Sequence, residues 1–127
     1  MTVPARGAGT GGVPAVVLID ETEPEVIRQV YVGALTIDLL LGDVRSLKQK
    51  RSVIRPVIAE VRKRFPGVAV AETGANDLHR RGEIGIAVVS ATAANAAEVL
   101  DECERTVAGR PEIEVLSVRR RLYTGED

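Results

Sequence analysis

Aromatic side chains are almost absent from this chain of 127 residues, which has two tyrosines, one phenylalanine and no tryptophan. Proteins that read single-stranded RNA commonly stack successive bases on several exposed aromatic rings. The scarcity of rings argues against a surface of that kind. Any contact with nucleic acid would have to rest on charge and on the phosphate backbone.

The chain also lacks paired cysteines, an excess of one charge and long apolar runs. Its one cysteine, Cys103, can form no intramolecular disulfide and no zinc cluster, which fits a reducing cytoplasm. The formal net charge of −1 gives no overall attraction to nucleic acid or to membranes. No apolar run approaches the roughly 20 residues of a membrane span, and the apolar segment around Pro14 lacks the pattern of a signal peptide. We therefore expect a cytoplasmic protein without a membrane partner.

The length and the local composition indicate one domain preceded by an extension. The segment "ARGAGTGG" is typical of a flexible leader, and "VPAVVLIDETEPEVIRQ" adds a short apolar run and four acidic residues. We predict a flexible extension over residues 1–29, a single domain over 30–123 and a tail over 124–127. Val30 is an alternative start of the native protein, because an internal GUG start codon is written as valine.

The first half of the domain predicts a strand followed by a helix. In "VYVGALTIDLLL" the residues Leu35, Ile37 and Leu39 share one face, which is the alternation of a strand. Ser46 with Gln49 forms a capping box, so a helix is predicted to begin at Leu47. This helix should end before Pro66-Gly67. Its apolar positions recur at helical spacing: Leu47, Ile54, Val57, Ile58, Val61 and Phe65.

Pro56 interrupts this helical pattern. A proline in a helix interior removes one backbone hydrogen bond and costs about 3 kcal/mol, yet the apolar positions keep their phase on both sides of it. We predict one helix that bends near Pro56. The alternative is a helix that begins at Pro56, where proline is well tolerated.

The second half predicts two further strands, a helix and a last strand. "GVAVAET" and "EIGIAVVS" are strand patterns, the second with Ile84, Ile86 and Val88 toward the core. Ser90 or Thr92 should cap a helix that runs to about Ala108, and "EIEVLSVRRRLY" follows as a strand. The helix should turn its small and apolar residues inward: Ala93, Ala96, Ala97, Leu100, Cys103 and Val107.

The element order β-α-β-β-α-β predicts an α+β domain of the ferredoxin-like class. Right-handed crossovers and a hairpin between the second and third strands favour a four-stranded antiparallel sheet of order 4-1-3-2, with both helices on one face. This topology brings the start of the first helix and the hairpin "GANDLHRRG" to the same end of the sheet. The end of the first helix should likewise meet Arg119, Arg120 and Arg121 at the opposite end.

The basic end of the sheet is the candidate binding site. A helix start offers backbone N–H groups and a partial positive charge, which suit a phosphate of an RNA backbone. Lys48, Arg51, Arg55 and Arg62 should form one outward stripe. Lys50 falls among the inward positions, with its stem on apolar neighbours and its ammonium group near the sheet end. The predicted nucleic-acid-binding residues are Lys48, Lys50, Arg51, Arg55, His79, Arg80 and Arg81.

Several of these residues also have a purely structural interpretation. The exposed cations can be a solvated helix face, with Arg80 and Arg81 paired to acids such as Glu72 or Asp77. His79 with Glu72 and Asp77 could form an acid–base trio or a metal site, but no nucleophile or substrate pocket accompanies them. Asn76 and Asp77 suit a turn. We therefore expect no catalytic residue, no metal and no cofactor.

Three segments resemble a known family: "GALTIDLLLGDVRSLKQKRSVI", "RFPGVAVAETGANDLHRRGEIGIAVVS" and the strand near the C-terminus. They are similar to the YlxP-like proteins, small bacterial proteins that form a domain of unknown function. The resemblance covers roughly residues 31–122. It implies a ferredoxin-like fold in the bacterial cytoplasm and, from the translation genes that often neighbour the family's genes, a role at RNA or the ribosome.

The uncovered face of the predicted sheet offers a different kind of function. An uncovered apolar face usually marks an interface. The central positions of this face are small and mostly apolar: Val32, Ala34, Thr36, Gly85, Ala87 and Val89. Homodimerisation through this face, or through edge strands, is therefore a second expectation. It leaves as the alternative function a dimeric regulatory module of the ACT type that binds a small molecule.

Overall fold

In the computed structural model, residues 30–75 and 78–124 are described, so the predicted extension over 1–29, Asn76, Asp77 and residues 125–127 lie outside them. The elements follow the predicted order. They are β1 (Tyr31–Leu41), α1 (Leu47–Arg64), β2 (Val68–Gly74), β3 (Arg81–Ser90), α2 (Ala93–Ala108) and β4 (Ile113–Tyr123).

The four strands form one antiparallel sheet of order β2-β3-β1-β4. This is the predicted order 4-1-3-2 counted from the other edge. Ile37 in the central strand lies between Ile84 of β3 and Val118 of β4. The order and the two intervening helices confirm the ferredoxin-like topology.

Both helices cover the same face of the sheet. A Cβ atom added to Gly33 would lie 2.8 Å from Leu100 of α2, and one added to Gly82 would lie 3.2 Å from Ile54 of α1. Gly82 pairs with Leu39, which shares its face of β1 with Gly33 because side chains alternate along a strand. The other face of the sheet is covered by none of the described residues.

The core lies between this covered face and the helices. The buried strand positions match the predicted alternation, and Ile54, Val57 and Val61 complete the core from α1. Two predicted inward positions differ, since Leu47 and Ala97 are exposed, and three others, Ile58, Phe65 and Ala93, are half-buried. The other buried residues are Leu35, Ile37, Leu39, Leu41, Val44, Val70, Ile84, Ile86, Val88, Ala96, Leu100, Cys103, Val107 and Ile113.

Helix α1 begins at the predicted cap and runs through Pro56 without a break. The Gln49 N–H donates to Ser46 Oγ over 3.1 Å. The Gln49 side chain accepts from the Arg45 N–H at 2.6 Å, one residue before the position that a capping box would use. The alternative in which the helix begins at Pro56 is wrong, because Pro56 lies in the middle of one helix.

Candidate functional site

Lys50 ties the first turn of α1 to the β2–β3 connection. Its side chain is buried, and its Nζ donates to the carbonyl oxygens of Ala75 and of Leu78, the latter at 2.9 Å. Glu72 Oε2 lies 3.3 Å from the same nitrogen. The inward orientation predicted for Lys50 is therefore confirmed, and its ammonium group already has three oxygen partners.

The backbone at Ala75 explains why a cation is useful at this point. Ala75 has a φ of 55°, in the left-handed region that favours glycine. The strand ladder has ended there, and the Ala75 carbonyl accepts instead from the Leu78 N–H at 3.2 Å and from Lys50. Sequence reasoning did not find these carbonyl contacts, since backbone acceptors leave no residue-type signal.

Within the described residues, Arg80 and Arg81 form no pair with an acid, and Asp77, one of the two acids suggested by the sequence, lies outside them. Arg80 Nε donates to the Gly42 carbonyl at 2.8 Å, so it holds the loop after β1, and Glu72 is taken by Lys50. Arg81 alternates with the buried Gly82, so it lies on the uncovered face of the sheet. That face is opposite to the helices, which removes Arg81 from the surface of α1.

His79 is exposed in the connection between β2 and β3. Within the described residues it makes no hydrogen bond or ion pair. Asp77, the third member of the suggested trio with Glu72, lies outside the described residues. Glu72 itself is directed to Lys50.

Three exposed cations in the first half of α1 form what we call the basic stripe: Lys48, Arg51 and Arg55. All three are exposed, and none has an acidic partner among residues 30–75 and 78–124. A shallow depression of about 430 Å³ is lined by these three residues with Ser52 and Pro56. Because the cap occupies the Gln49 N–H, anion binding here would depend mainly on side chains.

The remaining arginines of the predicted second basic cluster are engaged with other partners. Arg62 donates to the Val70 carbonyl at the free edge of β2, and Arg64 donates to Thr106 at 3.1 Å. Arg120 pairs with Asp101 at 2.8 Å and with Glu104 at 3.1 Å. Among the described residues each group pairs with its own neighbours on α2 or on the sheet, and the prediction that the end of α1 meets the arginines of β4 stays a prediction.

The uncovered sheet face is the other open surface, and it is mostly apolar. A concavity of about 350 Å³ lies over Ala34, Ala71, Gly85 and Ala87. Toward the end of the sheet near the hairpin the face becomes polar. There Glu83 accepts from Thr73 at 2.7 Å and lies 3.5 Å from Arg119.

The single thiol is not placed for chemistry. Cys103 is fully buried in the core, and burial, followed by the charge of Glu102, raises the pKa of its thiol to about 11. A thiol of this kind stays protonated near neutral pH and is a poor nucleophile.

The described residues offer neither a metal site nor a membrane-spanning helix. No group of three or more His, Cys, Asp or Glu side chains within it could hold a metal ion. Neither described helix is long and apolar enough to cross a membrane.

The comparisons with solved structures return small domains of related shape. The de novo designed protein Foldit4 matches with a TM-score of 0.43 and 12% identity, covering 75% of this chain and 94% of that one. A de novo designed protein with ferredoxin fold, LFR1 1, matches with a TM-score of 0.39 and 20% identity over 76% and 85% of the two chains.

The comparisons of sequence are more specific. The model of the family described as "Protein of unknown function (DUF503)" matches residues 32–120. The uncharacterized protein YlxP of Bacillus subtilis (strain 168) is 30% identical over 92 residues, which are 72% of this chain and 99% of that protein. The resemblance predicted from the sequence is thereby confirmed: the chain belongs to the YlxP-like DUF503 family.

Proposed function

We propose that this protein is a non-enzymatic binding module that contacts the phosphate backbone of RNA, most directly ribosomal RNA, through the basic stripe of α1. The observation that carries the proposal is the contrast between this stripe and the cations around it. Lys50 and Arg80 are held by backbone carbonyls. Lys48, Arg51 and Arg55 keep their charge available on an exposed surface.

The spacing of the basic stripe suits a chain of phosphates. Its outer members are seven residues apart, which is about 10 Å along a helix, and Arg51 stands between them. Phosphates along one nucleic-acid strand recur at about 6–7 Å, so the stripe can engage two or three in succession. Such contacts position a protein without selecting a base sequence, and the described surface around the stripe offers no aromatic ring for stacking.

Two supports for a ribosomal partner are of different kinds. The family resemblance implies a role near translation through gene neighbourhood. The structure contributes the unpaired cations and an opposite helix that is acidic, where Asp101 and Glu104 face Arg120. A polyanion is therefore attracted to one side of the domain and repelled from the other, which orients it on approach.

Co-sedimentation of the full chain with purified ribosomal subunits tests the proposal. We expect the native protein to sediment with the particles at low salt and to be released as salt increases. The double variant Lys48→Glu/Arg51→Glu should stay in the supernatant. It reverses two exposed charges of the stripe and touches no core residue.

The matched control is Lys63→Glu/Arg105→Glu. It changes the net charge by the same amount at exposed positions away from the stripe, and it should sediment like the native protein. Circular dichroism should show the same thermal unfolding for all three proteins within a few degrees. Native-like sedimentation of the stripe variant would contradict the proposal, and equal loss in both variants would reduce it to a net-charge effect.

The alternative ACT-type module is supported by one feature, the apolar uncovered face of the sheet. A thermal-shift screen against free amino acids distinguishes it from the RNA proposal. A stabilising amino acid, with no binding to ribosomal subunits, would favour the alternative.

A further inference from the structure

The uncovered face of the sheet is organised in rows across the strands. Val89, Val32 and Tyr123 form the first row, since Val32 is the register partner of both others. The next two rows contain small residues with one arginine each, and the row after them is polar and internally bonded. In order, the rows are Val89–Val32–Tyr123, Ala69–Ala87–Ala34–Arg121, Ala71–Gly85–Thr36–Arg119, Glu83–Asp38–Ser117 and Arg81–Leu40–Glu114.

The first row projects and the third row recedes. Val89 is 66% exposed and Tyr123 is 42% exposed, which is unusual for large apolar side chains on a sheet. Two rows away the central position is Gly85, and the concavity of about 350 Å³ lies over it and its neighbours Ala34, Ala71 and Ala87. One surface therefore carries both a ridge and a hollow of apolar character.

We infer that this sheet face is the interface of a homodimer, in which the ridge of each copy enters the hollow of the other. A two-fold axis that lies between two facing sheets, over the Ala34–Ala87 row, exchanges the rows on either side of it. The Val89–Val32–Tyr123 row of one copy then covers the row of Gly85 in the second copy. Because an isologous interface must be self-complementary, a ridge and a hollow at equal distances from one row favour a second copy over an unrelated partner.

The two-fold axis sets the size of the interface. It lies over the Ala34–Ala87 row near one end of the sheet, so about seven residues of each strand overlap, which is about 23 Å along the strands and about 20 Å across the four strands. Contact over this area in both copies would bury on the order of 900 Å² in total, the size of a weak and reversible interface. The polar row does not oppose burial at the rim, since Asp38 accepts from Ser117 and Glu83 accepts from Thr73.

Edge-to-edge pairing through β2 is the weaker route to a dimer. The Val70 carbonyl accepts from Arg62 at 3.2 Å, so a side chain of α1 already occupies part of this edge. The face, by contrast, is covered by none of the other described elements, and its central positions are apolar, with Arg119 and Arg121 along its β4 side.

The test is the mass of the full chain by size-exclusion chromatography with light scattering, at about 1–200 µM protein. The native chain should show about twice its monomer mass of 13.6 kDa. Val89→Glu and Val89→Arg should each weaken the association at least tenfold. Both variants should therefore show the monomer mass. Because Val89 is already 66% exposed in one copy, neither variant should disturb the fold, and both signs of charge are covered.

Ala97→Glu is the matched control, since Ala97 is exposed on α2, on the far side of the sheet; it should leave the dimer intact. A native chain that stays monomeric up to 200 µM would overturn the inference. So would Val89 variants that remain dimeric, because the dimer would then use another surface. The result is independent of the RNA proposal, which the Val89 variants test separately by retaining binding to ribosomal subunits.

Discussion

At the scale of single residues, Lys50 is the least expected feature of the basic segment. A buried cation is costly unless it is paired and hydrogen-bonded, and Lys50 is 2% exposed. Its three oxygen partners come from β2 and the following connection, so the cost is offset by joining two segments that are distant in sequence. We interpret Lys50 as a structural residue and not as part of the binding surface for which the sequence proposed it.

We predict that Lys50→Met lowers the free energy of unfolding by about 2–4 kcal/mol, because it removes the Lys50 donor from the Leu78 carbonyl and the Glu72 carboxylate and one of two donors from the Ala75 carbonyl. Unfolding in urea, followed by circular dichroism, measures the loss. The double variant Lys50→Met/Glu72→Gln should recover part of it.

Lys48→Met is the control for that measurement. It removes a cation two residues away on the exposed stripe, and exposed substitutions of this kind usually change stability by less than about 0.5 kcal/mol. Equal stability of the Lys50 and Lys48 variants would show that the buried contacts contribute nothing.

At the scale of elements, Arg110 links the end of α2 to α1 and to the start of β4. Its guanidinium lies 2.7 Å from Glu60 of α1 and 2.7 Å from Glu112. The hydrogen bond from Arg110, stronger than the opposing effect of burial, lowers the pKa of Glu112. The hydrogen bonds that Arg110 donates to Glu60 and Glu112 raise the pKa of Arg110. The three side chains thus join three elements by charge on the rim of the core.

This arrangement predicts a loss of stability in acid. Since the folded-state pKa of Glu112 lies below its unfolded value of about 4.3, the contribution is complete above that pH and is lost as the pH falls through the folded pKa. Arg110 stays charged throughout. Arg110→Met should lower the melting temperature at pH 7 by about 5 °C, from partly exposed pairs worth about 1 kcal/mol, and should flatten the decline between about pH 5 and pH 3.

Melting curves of the native chain and of Arg110→Met across that pH range check this prediction. Arg105→Met is the comparison, because Arg105 forms an exposed pair with Glu102 within one helix and should change the melting temperature little. A native-like acid response in Arg110→Met would assign the response to other groups.

The elements themselves were largely predictable from the sequence. Strand alternation at Leu35, Ile37 and Leu39 and the cap at Ser46 each depend on near neighbours in the chain, and both were correct. Pro56 lies within one helix, as predicted, and the bend near it stays a prediction. The prediction was wrong at Ala97, where the outcome depends on how separate elements pack, which local patterns do not contain.

At the scale of the whole molecule, the candidate site was predicted in position but not in composition. The topology brought α1 and the hairpin together as expected, through Lys50. Of the seven residues proposed, only Lys48, Arg51 and Arg55 form an exposed basic surface on α1. Lys50 and Arg80 donate to backbone carbonyls instead, and the alternation of β3 places Arg81 on the uncovered face of the sheet. Acceptors on the backbone and the direction of a side chain on a sheet become visible only when the chain is folded.

This reduced site makes a quantitative prediction about salt. A net charge of −1 means that binding must come from the local stripe, and three phosphate contacts give a slope of about −2 to −3 in log K against log salt concentration. Affinity for ribosomal subunits or for a mixed-sequence RNA should therefore fall roughly 15- to 60-fold between 50 and 200 mM salt. Fluorescence anisotropy with a labelled RNA measures the slope. Arg55→Gln should reduce the magnitude of the slope by the share of one phosphate contact, about a third. A slope near −5 would require cations beyond the stripe, and a slope near zero would exclude the phosphate backbone as the ligand.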